Sequence, residues 1–124
     1  MPTAVLLIAH GSRRSEANAD SEHLADSLRA RGPYPIIEYC YLELAVPDIE
    51  TGGAKCVADG ADRVLLVPYF LSAGIHVTRD LEAARQRLAD QHAGVEFRLC
   101  EPIGLHPLMV EIIADRARAA DASE

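Results

Sequence analysis

The sequence predicts an α/β fold of the flavodoxin-like kind, a three-layer sandwich whose four-stranded parallel sheet runs in the order 2-1-3-4. Three observations carry that expectation. Four short apolar runs rich in Val and Ile stand apart in the chain, segments with helical spacing lie between them, and the two kinds alternate without a break. Such alternation favours parallel strands joined by right-handed helical crossovers, with helices on both faces of the sheet.

The strand candidates are Ala4–Ala9, Ile36–Tyr41, Val64–Tyr69 and Val95–Leu99. Ala17, Leu24 and Leu28 share one face of a first helix, which Arg31-Gly32-Pro33 brings to a stop. A second helix is expected from about Pro47 to Asp59, with Ile49, Cys56 and Val57 as its stripe. Gly52 and Gly53 interrupt it where a good helix former is expected, at about 1 kcal/mol each relative to Ala, so it reads as locally weak. Val77, Leu81, Ala84 and Leu88 make the cleanest amphipathic stripe. Met109, Ile112, Ile113 and Ala117 define a last helix with Pro107 as its first residue. Residues 1–124 read as one domain, with the tail after about residue 120 expected to fray.

Composition narrows the function. Apolar residues make up 49% of the 124, enough for a real core, and the formal charge is −7 with no basic stretch. That argues against nucleic acid and against anionic membranes as partners. Six apolar residues at Ala4–Ala9 are too few for a signal peptide or a membrane span, so a cytoplasmic location is expected. Cys40, Cys56 and Cys100 lie far apart and read as reduced core thiols.

In an open parallel sheet, ligands bind outside the carboxyl ends of the strands, where the strand order reverses. Here that crevice lies between strands 1 and 3. Strand 1 leads into His10-Gly11-Ser12-Arg13-Arg14, and strand 3 leads through Phe70 and Leu71 to Gly74-Ile75-His76. Strand 2 delivers Glu43 just past its end, and strand 4 delivers Glu101 and then His106. Two imidazoles and a carboxylate on one rim suit a divalent first-row metal, and so small a ligand set suits a cation held loosely and passed on. The Gly11-Ser12 turn before a helix could also hold an anion, but no phosphate-binding motif is present. His23 and His92 are assigned no role, and His106 reads as local to the Pro107 helix start.

These segments resemble the class II chelatases of the CbiX/SirB type. The resemblance rests on Leu6-Leu7-Ile8-Ala9-His10-Gly11-Ser12-Arg13, on Glu43-Leu44-Ala45-Val46-Pro47, and on Val67-Pro68-Tyr69-Phe70-Leu71 with Gly74-Ile75-His76-Val77. Pro102-Ile103-Gly104-Leu105-His106-Pro107 completes it, and it extends over about residues 4–117. It implies the chelatase-like form of the fold and insertion of a divalent metal, cobalt first and ferrous iron or nickel next, into sirohydrochlorin. It implies no organic cofactor, His10 and His76 as metal ligands, and Glu43 as base or third ligand. The length is that of the short form, for which a homodimer is implied. For a polycarboxylate ring, Ser12, Arg13, Arg14 and Arg79 are the expected donors, and Phe70, Leu71 and Gly74 the expected contacts with its face. Two other readings are a metal carrier without catalysis and a flavodoxin-like nucleotide or phosphoryl module.

Overall fold

In a computed structural model describing residues 2–104 and 106–122, the chain alternates strand and helix throughout. Its elements are β1 (Thr3–Ala9), α1 (Ser15–Arg31), β2 (Ile36–Tyr41), α2 (Ile49–Ala58), β3 (Arg63–Pro68), α3 (Ile75–Gln91), β4 (Glu96–Leu99) and α4 (Pro107–Asp121). All three ladders are parallel, as the alternation predicts, and the strand order is β2-β1-β3-β4, the flavodoxin-like order that was expected. The strand bounds differ from the apolar runs by a residue at most, at β1, β3 and β4. Ser123 and Glu124, where fraying is expected, lie outside the described residues.

β1 is buried along almost its whole length because it is central and covered on both faces. On one face Leu6, Ile8, Val64 and Leu66 pack with Cys56, Leu81, Ala84 and Leu88 from α2 and α3. On the other, Val5 and Ile37 pack against Ala25 of α1. The stripe expected on α3 is therefore its core face. The stripe expected on α1 holds at Leu28, which packs against that cluster, and at half-buried Leu24, but not at its start. Ala17 is exposed, while Ser21 and Ala25 are the buried residues, because small side chains let the helix lie close to β1 and β2.

Gly52 and Gly53 correct the expectation of a weak second helix. A Cβ on Gly52 would lie 2.8 Å from the Cys40 Cβ and 3.0 Å from Leu6 Cδ1. One on Gly53 would lie 2.5 Å from Leu88 Cδ2. The glycines give up helix propensity so that α2 can approach the sheet and α3. Asp48 secures the start of α2, its carboxylate accepting the Thr51 N–H at 2.8 Å. Cys40 and Cys56 are buried free thiols, as expected, and burial pushes the Cys56 thiol up to about 12. Among the described residues no helix is long and apolar enough to cross a membrane.

Gly52→Ala should destabilise the protein by about 1–3 kcal/mol in urea unfolding, since overpacking outweighs the roughly 1 kcal/mol gained in helix propensity. Gly53→Ala should cost less, because the atoms it meets are the far end of a leucine that can turn aside.

Candidate metal site

The site starts from two strand exits held side by side. β1 and β2 are in register up to Ala9 and Tyr41, and the ladder continues beyond them. Leu42 N–H donates to the Ala9 carbonyl at 2.9 Å, and Glu43 N–H donates to the His10 carbonyl at 3.1 Å. Gly11 then turns with φ +101°, and a Cβ there would sit 1.7 Å from the Glu43 carbonyl oxygen. Only glycine fits both the conformation and the approach.

That approach brings the His10 and Glu43 side chains together. His10 Nε2 lies 3.0 Å from Glu43 Oε1, both side chains being more than half exposed. The Phe70 ring stands edge-on to the imidazole, with centroids 5.9 Å apart. On the other side, the Asn18 carboxamide takes the Ser12 N–H at 3.0 Å and donates to the Ser12 carbonyl at 2.8 Å. Buried Tyr41 donates its hydroxyl to the Asn18 carbonyl at 3.0 Å. The first turn of α1 is thereby clamped to the His10 loop.

His10 and Glu43 form one end of an open cleft of about 460 Å³ between α2 and α3. Asp48, Glu50, Asp80 and Arg87 add charge to its walls, and Arg87 bonds Glu50 across it. Four carboxylates against one guanidinium leave the cleft negative. Hydrogen bonds from the Thr51 side chain and backbone hold Asp48 below the usual carboxylate range. Among the described residues no set of three His, Cys, Asp or Glu side chains converges as a ligand cage, so the structure presents a pair.

The family model CbiX matches residues 4–120. The chain belongs to the CbiX family. It is 33% identical to the chloroplastic sirohydrochlorin ferrochelatase of Arabidopsis thaliana over 90% of this chain and 50% of that protein. The chain thus spans about half the length of that relative. It is 31% identical to the sirohydrochlorin cobaltochelatase of Methanocaldococcus jannaschii over 92% of this chain and 96% of that protein. The structure of SirB from Bacillus subtilis with Fe3+ superposes with a TM-score of 0.88 at 29% identity, covering 99% of this chain and 49% of that one.

In this CbiX chain the other expected site residues spread along the rim. His76 is the second residue of α3, exposed, and its imidazole makes no hydrogen bond or ion pair among the described residues. From α3 the cleft is lined by Val77, Asp80, Ala83, Ala84 and Arg87, not by His76. Arg13 and Arg79 are exposed with guanidinium groups that bond nothing among the described residues, and Gly74 caps α3 with open space where a Cβ would point. Ser12 Oγ accepts the Arg14 N–H at 3.1 Å, which leaves its own proton free to donate. Phe70 is in the core, only 9% exposed, supporting His10 instead of facing outward. Leu71, 67% exposed, is the apolar side chain the rim presents. Glu101 borders a separate pocket beside Cys100, and His106 caps α4, its Nδ1 accepting the Leu108 N–H at 3.1 Å.

Asn18 and the acidic wall are absent from the sequence reading. Asp48 carried a signal, a carboxylate placed just before an apolar helical stripe. Asn18 carried none, since its partners are the backbone of a loop six residues away.

Asp48→Ala should cost about 1 kcal/mol of stability near neutral pH. The folded-state pKa of Asp48 is depressed, so this contribution is present above the unfolded value and is lost as pH falls through the folded one. The wild-type and variant unfolding curves should therefore converge in acid and separate again above about pH 4.

Proposed function

We propose that this chain inserts a divalent metal ion into sirohydrochlorin, with cobalt as its principal metal and a homodimer as its working form. The observation that carries the reading is the 3.0 Å separation of His10 Nε2 and Glu43 Oε1 at the mouth of a negative cleft. Two ligands each about 2.1 Å from a cation and at right angles to one another lie about 3.0 Å apart. The pair is spaced to receive one ion. Cobalt is preferred because the M. jannaschii relative, matched over 96% of its length, is named a cobaltochelatase. Affinity alone does not set this choice, since nickel binds nitrogen and oxygen sites more tightly than cobalt.

The protons have a path through the same pair. Insertion removes two pyrrole N–H protons from the ring. As the ion leaves, the freed Glu43 carboxylate and His10 imidazole accept them and pass them to solvent. Exposed and unbonded, His76 is the second imidazole in this reading, the group that keeps the ion from full hydration during transfer. Arg13, Arg79 and the Ser12 hydroxyl hold carboxylates of the ring, and Leu71 contacts its face.

The test is absorbance on mixing purified protein with sirohydrochlorin and Co2+, Fe2+ or Ni2+ in turn. Insertion above the uncatalysed rate, fastest with Co2+, is expected. A rate equal to background, with metal still bound, would replace the enzyme by a metal carrier. His10→Ala and His76→Ala should each lower the rate by about 100-fold or more while leaving circular dichroism unchanged. If both retain near wild-type rates, the assignment of the imidazoles is wrong.

A further inference from the structure

α1 begins without the side chains that ordinarily hold a helix end in place. Its N-cap residue, Arg14, makes no side-chain capping bond. Among residues 15–20 only Asn18 is not exposed, and it is half-buried. Ser21, Ala25 and Leu28 follow it at offsets of 3, 7 and 10, so Asn18 stands on the face that α1 turns to the sheet. Periodicity alone asks for an apolar side chain at such a position. What the carboxamide bonds explains why a polar one is there.

Both of its polar groups are spent on one residue. Ser12 N–H donates to Asn18 Oδ1 at 3.0 Å, and Asn18 Nδ2 donates to the Ser12 carbonyl at 2.8 Å. Two bonds on the two sides of one residue fix its rotation as well as its place. Little else restrains this segment. The bond from Arg14 N–H to Ser12 Oγ lies within it. Gly11 precedes it at φ +101°, a residue type with few steric limits on its backbone. A hollow of about 290 Å³ lined by Arg13, Tyr41 and Val46 leaves the segment room to shift.

Asn18 is also tied to the strand that delivers Glu43. Buried Tyr41, the last residue of β2, donates its hydroxyl to the Asn18 carbonyl at 3.0 Å. A closed circuit results. It runs from His10 through Ser12 to Asn18, across to Tyr41, along the chain to Glu43, and back through the Glu43 N–H to the His10 carbonyl.

We infer that Asn18 is a positioning residue, whose carboxamide keeps the His10 imidazole and the Ser12 and Arg13 donors in one fixed relation. The inference rests on the proposed function, in which the imidazole holds the metal and the two donors hold the ring. Either ligand alone needs only its own groups. Transfer needs both sets aligned at once, and that is the step a displaced segment slows.

Asn18→Ala tests this, with Asn18→Asp beside it. Ala is the better helix former and Ser12 is only half-buried, so water can replace the lost bonds. The thermal midpoint should therefore stay within a few degrees of wild type. The kcat of metal insertion should fall by about 10- to 100-fold, while the Kd for Co2+ alone and for metal-free sirohydrochlorin alone each change by less than about threefold. Asn18→Asp keeps the acceptor for the Ser12 N–H and loses the donor to its carbonyl, so its kcat should lie between the two. An unchanged kcat per folded molecule, with or without a lower midpoint, overturns the assignment. So does a loss of affinity for one ligand as large as the loss in kcat, which would make Asn18 a support for that ligand's site alone. If wild type inserts no metal above the background rate, the proposed function falls and this inference with it. A fully active Asn18→Ala beside an active wild type removes only the inference.

Discussion

Everything at the site depends on how closely the backbone leaving β1 lies against the backbone leaving β2. The Glu43 carbonyl occupies space that any side chain at residue 11 would need, so Gly11 sets the distance between the two strand exits. A larger residue there would act on the function before it acted on the core. The His10 and Glu43 loops would separate, and the 3.0 Å contact between their side chains would be the first interaction lost. Asn18 works for the same end from the other direction, tying the loop after His10 to α1 through both polar groups of Ser12. The rigidity of the pair comes from backbone contacts, which lets the two side chains stay exposed and exchange what they hold.

Charge is divided in a way that suits the two substrates of the proposed reaction, which are opposite in sign. The cleft walls hold Glu43, Asp48, Glu50 and Asp80, with Arg87 committed to Glu50. A cation is drawn to that wall even before it meets His10, and the formal charge of −7 adds a long-range attraction for it. A polycarboxylate ring meets the reverse field and needs local donors. The uncommitted guanidinium groups of Arg13 and Arg79 are exposed and do not line the cleft. A bidentate arginine contact acts at short range, where the field of a distant carboxylate is screened. In the proposed reaction one small domain therefore attracts metal into the cleft and receives the ring at its edge.

The parallel sheet was legible because β-branched runs and helical stripes alternate, and it is nearly the only packing such a chain permits. Glu43 was legible for a related reason: it comes two residues after β2 as His10 comes one after β1, and the two strands are neighbours. What escaped the sequence depends on pairs of surfaces. Gly52 reads as a helix breaker until Cys40 and Leu6 are seen beneath it. Ser21 reads as polar surface until α1 is laid against β1 and β2, and Phe70 reads as a rim residue until its ring is found behind His10. The acidic wall is assembled from two helices whose facing sides no local pattern specifies. α4 shows the opposite limit, for its apolar residues were read as the mark of a helix and none of them is buried.

The geometry of the pair also explains why a weak site can be a catalytic one. In the proposed reaction the ion leaves His10 and Glu43 for the ring nitrogens, and the freed carboxylate is placed to take up a proton that the ring releases. A cage of four strong ligands would hold the ion more tightly and would lose this coupling, because transfer would require several bonds to break before any proton could enter. Among the described residues no such cage exists. In this reading a sparse ligand set is what allows the ion to be released on time.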